Sequence, residues 1–312
     1  MNQPTSPDPD RLSALMAEEL ANALGLPRQG MHLGLIASLA RSAAPRLSVL
    51  LTALDADVAD AGLREAARRL LAHLIEGYAT AGEETIPTTG PLIIAANHPG
   101  LSDALVLLAG LPRDDVKLMI SDVPITRALP HVRERLIYVS GDPDDHVAAA
   151  REMIDHLRSG GSIITFPSAR LTPDPALFRD ATPPGAAEDR AALARATFSS
   201  WSASILLPLR RLTACSLQVA VVSGVLMPTF ARHPIARLTP APRGWEHRRM
   251  AEFLQLLRQL RTGDRYGLVP HAAFAPPLTK DDLAGLDREA AMDLIIRRGS
   301  TLLEAQPAAG SP

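Results

Sequence analysis

The chain has 312 residues, 46% of them hydrophobic and 21% charged, with 32 Lys and Arg against 34 Asp and Glu for a net charge of -2. That is the composition of a globular protein with material for one large or two modest domains, and it offers no general attraction for a phosphate backbone, so nucleic acid is not an expected partner. Cys215 is the only cysteine, which excludes an internal disulfide framework and a thiolate metal cluster; it reads as a small buried residue rather than a nucleophile.

In chain order, the first ten residues are Pro-rich and acidic, unlike the basic-then-apolar pattern of an export signal, so the expected location is cytoplasmic. Residues 11–80 read as helix, with Leu12, Leu15, Met16 and Leu20, then Leu63, Ala67, Leu70, Leu71 and Leu74 at helical spacing, and with Pro27 and Pro45 dividing the region into about three helices. The apolar stretch 31–40 is broken by His32 and Gly34, and no window reaches the ~20 apolar residues of a spanning helix. Residues 83–91 form a Gly, Thr and Pro linker. Beyond it, short apolar runs at 92–96, 116–120, 136–139, 163–166 and 217–222 alternate with helical stretches such as 144–158. This alternation predicts an α/β fold, a mostly parallel sheet flanked by helices with an N-terminal helical region, divided at 1–85 and 86–312. Gly160-Gly161 lies in no phosphate-loop pattern and reads as a helix-ending turn. Residues 172–189, rich in Pro and acidic side chains, read as an excursion or mobile loop, and from about Gly244 the chain returns to helix. Residues 245–261 make an amphipathic helix with a basic face; core packing is the first reading, contact with anionic lipid through Trp245 and Phe253 the second.

The stretch Asn97-His98-Pro99-Gly100-Leu101-Ser102-Asp103 places a histidine and a carboxylate five positions apart directly after an apolar run. On one continuous helix that spacing turns the two side chains away from each other. Pro99 and Gly100 break the backbone, so the pair can close across a strand-to-helix turn, with Ser102 or Asp103 capping the helix that follows. A carboxylate accepting from one imidazole nitrogen fixes the tautomer and frees the other nitrogen to take a proton from a hydroxyl. The alternative is that Asp103 only caps the helix and His98 only fills the turn. The nine histidines show no zinc-binding spacing, so no metal is expected, and Ser168 lacks the G-x-S-x-G elbow of a serine hydrolase.

A second run, Ser162-Ile163-Ile164-Thr165-Phe166-Pro167-Ser168-Ala169-Arg170, ends in Pro, a small hydroxyl residue and Arg. Together with His98 and Asp103 it resembles the glycerolipid acyltransferase superfamily, whose first motif is NHxxxxD and whose third is usually Phe-Pro-Glu-Gly-Thr-Arg. Pro167-Ser168-Ala169-Arg170 is closest in style to the Pro-Ser-Gly-Gly-Arg of soluble, plastid-type glycerol-3-phosphate acyltransferases, and the run 219–228, ending Met227-Pro228, resembles a fourth block. The similarity spans roughly residues 86–230. It departs after the 136–139 run, where the plastid-type Lys-His pair is replaced by Ser140-Gly141-Asp142-Pro143-Asp144-Asp145, and at a second Arg whose place Thr172 or a neighbour takes.

The resemblance implies acyl transfer from a coenzyme A or acyl carrier protein thioester to the hydroxyl of glycerol 3-phosphate or a related (lyso)phospholipid alcohol, with no further cofactor. His98 is then the base and Asp103 its orienting partner, with backbone N–H groups near Ser102 facing the oxyanion. Arg170 becomes the phosphate clamp, beside Ser168; its other reading is a surface Arg after a strand. Arg135 and Lys117 are further substrate-binding candidates, and Arg127 and Arg133 could compensate for the missing basic pair. Peripheral contact with a membrane fits such substrates. The competing reading is a non-catalytic or hydrolytic lipid- or thioester-binding relative of the same fold.

Overall fold

The structure, a computed structural model, describes residues 9–23, 38, 40–140, 142–180, 187–238 and 246–305. Among the described residues seven strands form one sheet: β1 Ala79–Ala81, β2 Leu92–Ala96, β3 Val116–Ser121, β4 Leu136–Val139, β5 Ser162–Thr165, β6 Ser216–Ser223 and β7 His271–Phe274. Their order is β1-β7-β6-β2-β5-β3-β4, and every pairing is parallel except β6 with β7. All five residues of β2 are buried, and in β6 all but Ser216 are. Such continuously buried strands, interrupted within β6 only by the polar Gln218, are what a sheet covered on both faces requires. Helix Pro143–Arg158 packs against β4 and β5, helix Arg288–Ala305 against β6, and helix Asp103–Gly110 against β6 and β7. The core beneath the sheet joins Ile93, Ile137 and Ile163 to Leu157, Phe198, Trp201 and Ile295.

This sheet unit comprises Gly77–Asp122, Arg135–Val225 and Leu268–Pro312. Within it the buried Arg113 ties the N-terminal edge together: its guanidinium grips Asp115 in bidentate fashion and donates to the carbonyls of Pro87, Gly90 and Gly160. Gly160 follows helix Pro143–Arg158 with φ 90, and a Cβ on Gly161 would run into the His156 imidazole, so the glycine pair is a structural turn.

The second unit is helical and draws on three stretches of chain, Met1–Glu76, Val123–Glu134 and Leu226–Gly267. Helix Ala44–Leu71 starts with Pro45 in its first turn and breaks direction at Gly62, and helix Glu246–Thr262 packs with it. Phe253, Leu257 and Leu260 are buried with Ala40, Ala43 and Leu50, so the apolar face of the 245–261 segment serves packing; Trp245 and Pro27 lie outside the described residues. Asp55, on Ala44–Leu71, accepts from the backbone N–H groups of His131 and Val132 and from His131 Nδ1. It thereby caps the short helix Pro130–Arg133.

Three expectations need correction. Ala79–Ala81, overlapping the end of the stretch expected to be helical, is the edge strand β1, and His271–Phe274, expected in a helical return, is β7. Both are Ala-rich and only three or four residues long, so neither carries a period from which a strand is read. The supposed loop 172–189 contains helix Pro175–Asp180 and the start of helix Ala187–Phe198, anchored by the buried Asp174; residues 181–186 are outside the described ones.

Candidate active site

The three central strands β5, β2 and β6 lie side by side, and their C-terminal ends bring three loops together. β2 runs out at Ala96; Asn97 and His98 follow, and Pro99 and Gly100 turn the chain into helix Asp103–Gly110. The turn closes the pair anticipated from spacing: His98 Nδ1 lies 2.7 Å from Asp103 Oδ2. A carboxylate accepts only, so Nδ1 carries the proton and Nε2 presents its lone pair. Asp103 has no solvent exposure, while 22% of the His98 side chain remains open.

The same carboxylate accepts from Gly100 N–H at 3.1 Å and, through Oδ1, from Ala104 N–H at 2.6 Å. Asp103 therefore both braces the turn and orients the imidazole, joining the two alternatives read from the sequence. Ser102 holds the cap position without a side-chain bond. The backbone N–H groups of Gly100, in the turn, and Ala104, at the helix start, are occupied by Asp103.

Neighbouring loops fix the frame. The buried Asn97 side chain clamps β6, donating from Nδ2 to the Val222 carbonyl at 2.9 Å and accepting from Val222 N–H at 2.7 Å. Thr172 N–H donates to the His98 carbonyl at 2.8 Å, and His98 N–H donates to Thr172 Oγ1 at 3.1 Å. Asp174 accepts from Gly224 and Val225 N–H on the β6 side and from Ala176 N–H at the start of helix Pro175–Asp180. The Phe166 ring stacks on the imidazole. Asn97, Phe166, Thr172 and Asp174 were not among the expected site residues. The signals for them in the sequence are the places of Asn97 and Phe166 inside the two quoted motifs, and Asp174 before Pro175, a helix-start pattern inside a segment read as loop.

The loop after β5 carries Ser168 and Arg170. Ser168 is buried and its hydroxyl donates to the Arg170 carbonyl at 2.7 Å, which leaves it only acceptor capacity. Ala169 adopts φ 50, a left-handed conformation that costs an L-residue about 1–2 kcal/mol and that Gly would take freely. The turn projects Arg170 into solvent, and no described residue pairs with its guanidinium.

Lys117 and Arg135 are not brought to this place. Lys117 is level with Ile163, which is level with Ile93, so His98 lies on the order of 15 Å further along the strand direction at ~3.3 Å per residue. Its Nζ is also 2.6 Å from Glu152. Arg135 immediately precedes Leu136, the partner of Leu118. Both stand at the starts of their strands, and ligands of parallel sheets bind beyond the ends. Arg127 and Arg133 are exposed residues of the helical unit. The acidic stretch after β4 begins a helix: Asp142 caps Pro143–Arg158 through Asp144 N–H, and Asp144 and Asp145 occupy its first turn, where the helix dipole favours carboxylates.

No protein-family model and no curated protein matches the chain. Among solved structures it is similar to the 1-acyl-sn-glycerophosphate (LPA) acyltransferase PlsC from Thermotoga maritima, with 16% identity and a TM-score of 0.46 over 96% of this chain and 98% of that one.

Among the described residues no group of three His, Cys, Asp or Glu could hold a metal ion, and no helix is long and apolar enough to cross a membrane. Cys215 is buried beneath the sheet, and that burial pushes its thiol up to about 11, well away from a reactive thiolate at neutral pH.

Proposed function

We propose that the protein transfers an acyl group from a thioester to an alcohol, with His98 as general base and Asp103 as its orienting partner. The observation that carries this reading is the 2.7 Å bond between His98 Nδ1 and the fully buried Asp103, which presents a basic Nε2 at the open, C-terminal end of β2. Nε2 takes the proton of the acceptor hydroxyl as its oxygen attacks the thioester carbonyl, and returns it to the departing thiolate. Asp103 stabilises the imidazolium in between. Base assistance of this kind contributes roughly 10²–10⁴-fold to a rate, and no acyl-enzyme is needed.

Coenzyme A or acyl carrier protein serves as donor, and glycerol 3-phosphate or a lysophospholipid as acceptor, because Arg170 offers a planar guanidinium able to grip a phosphate with two bonds. Ser168 supports the turn from which Arg170 projects rather than touching the acceptor as a donor. The support for a phosphorylated acceptor is the exposed Arg170 together with the Pro167-Ser168-Ala169-Arg170 motif. A labelled acyl thioester offered with glycerol 3-phosphate, a lysophospholipid and a neutral alcohol, to wild type and to His98→Ala, tests both levels. Transfer by wild type at least about 10²-fold faster than by His98→Ala supports the base; equal rates dismiss it. Preference for the neutral alcohol dismisses the phosphate contact alone.

A further inference from the structure

An imidazole tethered by one hydrogen bond keeps a soft torsion about its Cβ–Cγ bond, since such sp³–sp² rotations are broad and two-fold. A half-turn of the His98 ring would put a carbon where Nδ1 meets Asp103 and carry Nε2 off its line. Two contacts from the β5 side oppose this, and neither belongs to the His98 and Asp103 pair. The Phe166 ring covers one face of the imidazole, centroids 4.4 Å apart and planes within 24°. Thr172 grips the His98 peptide from both ends, donating to its carbonyl and accepting from its N–H.

Both come from a stiff support. Phe166 directly follows β5, which is hydrogen-bonded between β2 and β3, and the next residue, Pro167, accepts from Ser202 N–H at 3.0 Å. Thr172 is 1% exposed, so the His98 N–H it receives has no water to turn to. Two residues on, Asp174 fastens the same segment to the end of β6.

We propose that Phe166 and Thr172 are positioning residues for His98, Phe166 by blocking rotation of the ring and Thr172 by fixing the backbone from which the ring projects. Asp103 sets the His98 tautomer, and this wall holds the orientation of the ring, whatever the reaction. The kinetic consequence rests on His98 being the base of the acyl transfer proposed above.

The test uses the full-length protein with nitrogen-labelled histidine, the His98 ring signals being assigned by their loss in His98→Asn. Wild type is expected to show a single ring orientation, with the Nδ1 proton held by Asp103. Phe166→Leu keeps bulk without a stacking face, and Thr172→Val keeps shape without the hydroxyl. Each is expected to average or split the His98 nitrogen signals and to lower kcat by roughly tenfold to a hundredfold, the scale of a small misplacement, with the donor KM unchanged. Phe166→Tyr and Thr172→Ser are expected to restore both. Wild-type signals and kcat in Phe166→Leu and Thr172→Val overturn the proposal, as does failure of the two conservative variants to restore the signals. If Thr172→Val does not fold, Phe166→Leu against Phe166→Tyr decides. Should the ring signals respond as expected while wild type transfers no acyl group, the positioning role stands and the acyl-transfer reading falls.

Discussion

Replacing Asp103 by Asn puts a donor where the structure demands only acceptors. The carboxylate receives two N–H groups at Oδ2, from His98 and Gly100, and one at Oδ1, from Ala104, and has no contact with solvent. An amide of the same shape has one acceptor oxygen and one donor nitrogen. With the nitrogen at the Oδ2 place, it opposes the Gly100 N–H and forces His98 Nδ1 to accept, so the ring proton moves to Nε2 and the base is lost. With the nitrogen at the Oδ1 place, it opposes the Ala104 N–H and keeps the tautomer, but no negative charge faces the imidazolium. Either orientation strands one buried N–H, a loss of about 1–3 kcal/mol of stability. On the rate, the first orientation forfeits the whole base contribution of roughly 10²–10⁴. The second forfeits the excess of a charged over a neutral hydrogen bond, about 1–2 kcal/mol or roughly five- to thirtyfold. The expected result is a kcat reduced at least about fivefold and as far as about 10⁴-fold, an unchanged donor KM, and a melting temperature lower by several degrees. Single-turnover transfer from a labelled thioester measures the first two and calorimetry the third. A folded Asp103→Asn protein transferring at the wild-type rate refutes the pair.

Arg170→Ala should raise the acceptor KM about 10- to 100-fold, the equivalent of a lost charged hydrogen bond, while the donor KM and melting temperature stay put, because only the Arg170 carbonyl is bonded within the fold; a change in melting temperature without one in KM would make it structural. Arg113→Ala should destabilise the protein by about 3 kcal/mol, since a buried guanidinium and its carbonyl and carboxylate partners all lose their bonds, and chemical denaturation reads this directly. That loss should shrink in acid. Partial burial pushes the Asp115 carboxyl up, but the hydrogen bonds and charge of Arg113, with help from Ser162, outweigh it and leave it below its usual 3.8. A lowered folded value contributes stability above the unfolded value and loses it as pH falls through the folded one, so the gap between wild type and Arg113→Ala should narrow below about pH 4 and stay constant above about pH 5; a gap independent of pH would contradict the ion pair. Cys215 should resist alkylation at pH 8 in the native protein and react fully in denaturant; rapid native labelling would show the thiol is reachable.

What could be read from the sequence follows from how local each interaction is. His98 and Asp103 sit at the two ends of a turn too short to allow many shapes, so their spacing and the Pro-Gly between them carried enough to predict the bond. The five strands at 92–96, 116–120, 136–139, 163–166 and 217–222 announced themselves because both faces of a parallel sheet are buried, which writes an apolar run into the chain. β1 and β7 write nothing of the kind: at three and four residues they are too short for an apolar run, and their Ala content argues for helix. Asn97, Thr172 and Asp174 gain their meaning from partners 125, 74 and 50 residues away, and those distances close only once the order β6-β2-β5 is known.

Lys117 and Arg135 fail for a different reason, one that strand direction alone supplies. Lys117 is the second residue of its apolar run and Arg135 the residue before the next run. If the sheet is parallel and ligands gather beyond the strand ends, a cation at the beginning of a run is placed on the far edge before any coordinate is known. The same rule keeps Arg170, which follows its run, as the cation able to share an open face with His98. Position along the strand, more than charge or spacing, therefore separates the proposed phosphate contact at Arg170 from the ion pair at Lys117, and it predicts that Lys117→Ala, unlike Arg170→Ala, leaves the acceptor KM unchanged and disturbs only the Glu152 contact. A raised acceptor KM in Lys117→Ala would mean that substrate reaches the N-terminal edge of the sheet, and the assignment of the site to the ends of β2, β5 and β6 would have to be given up.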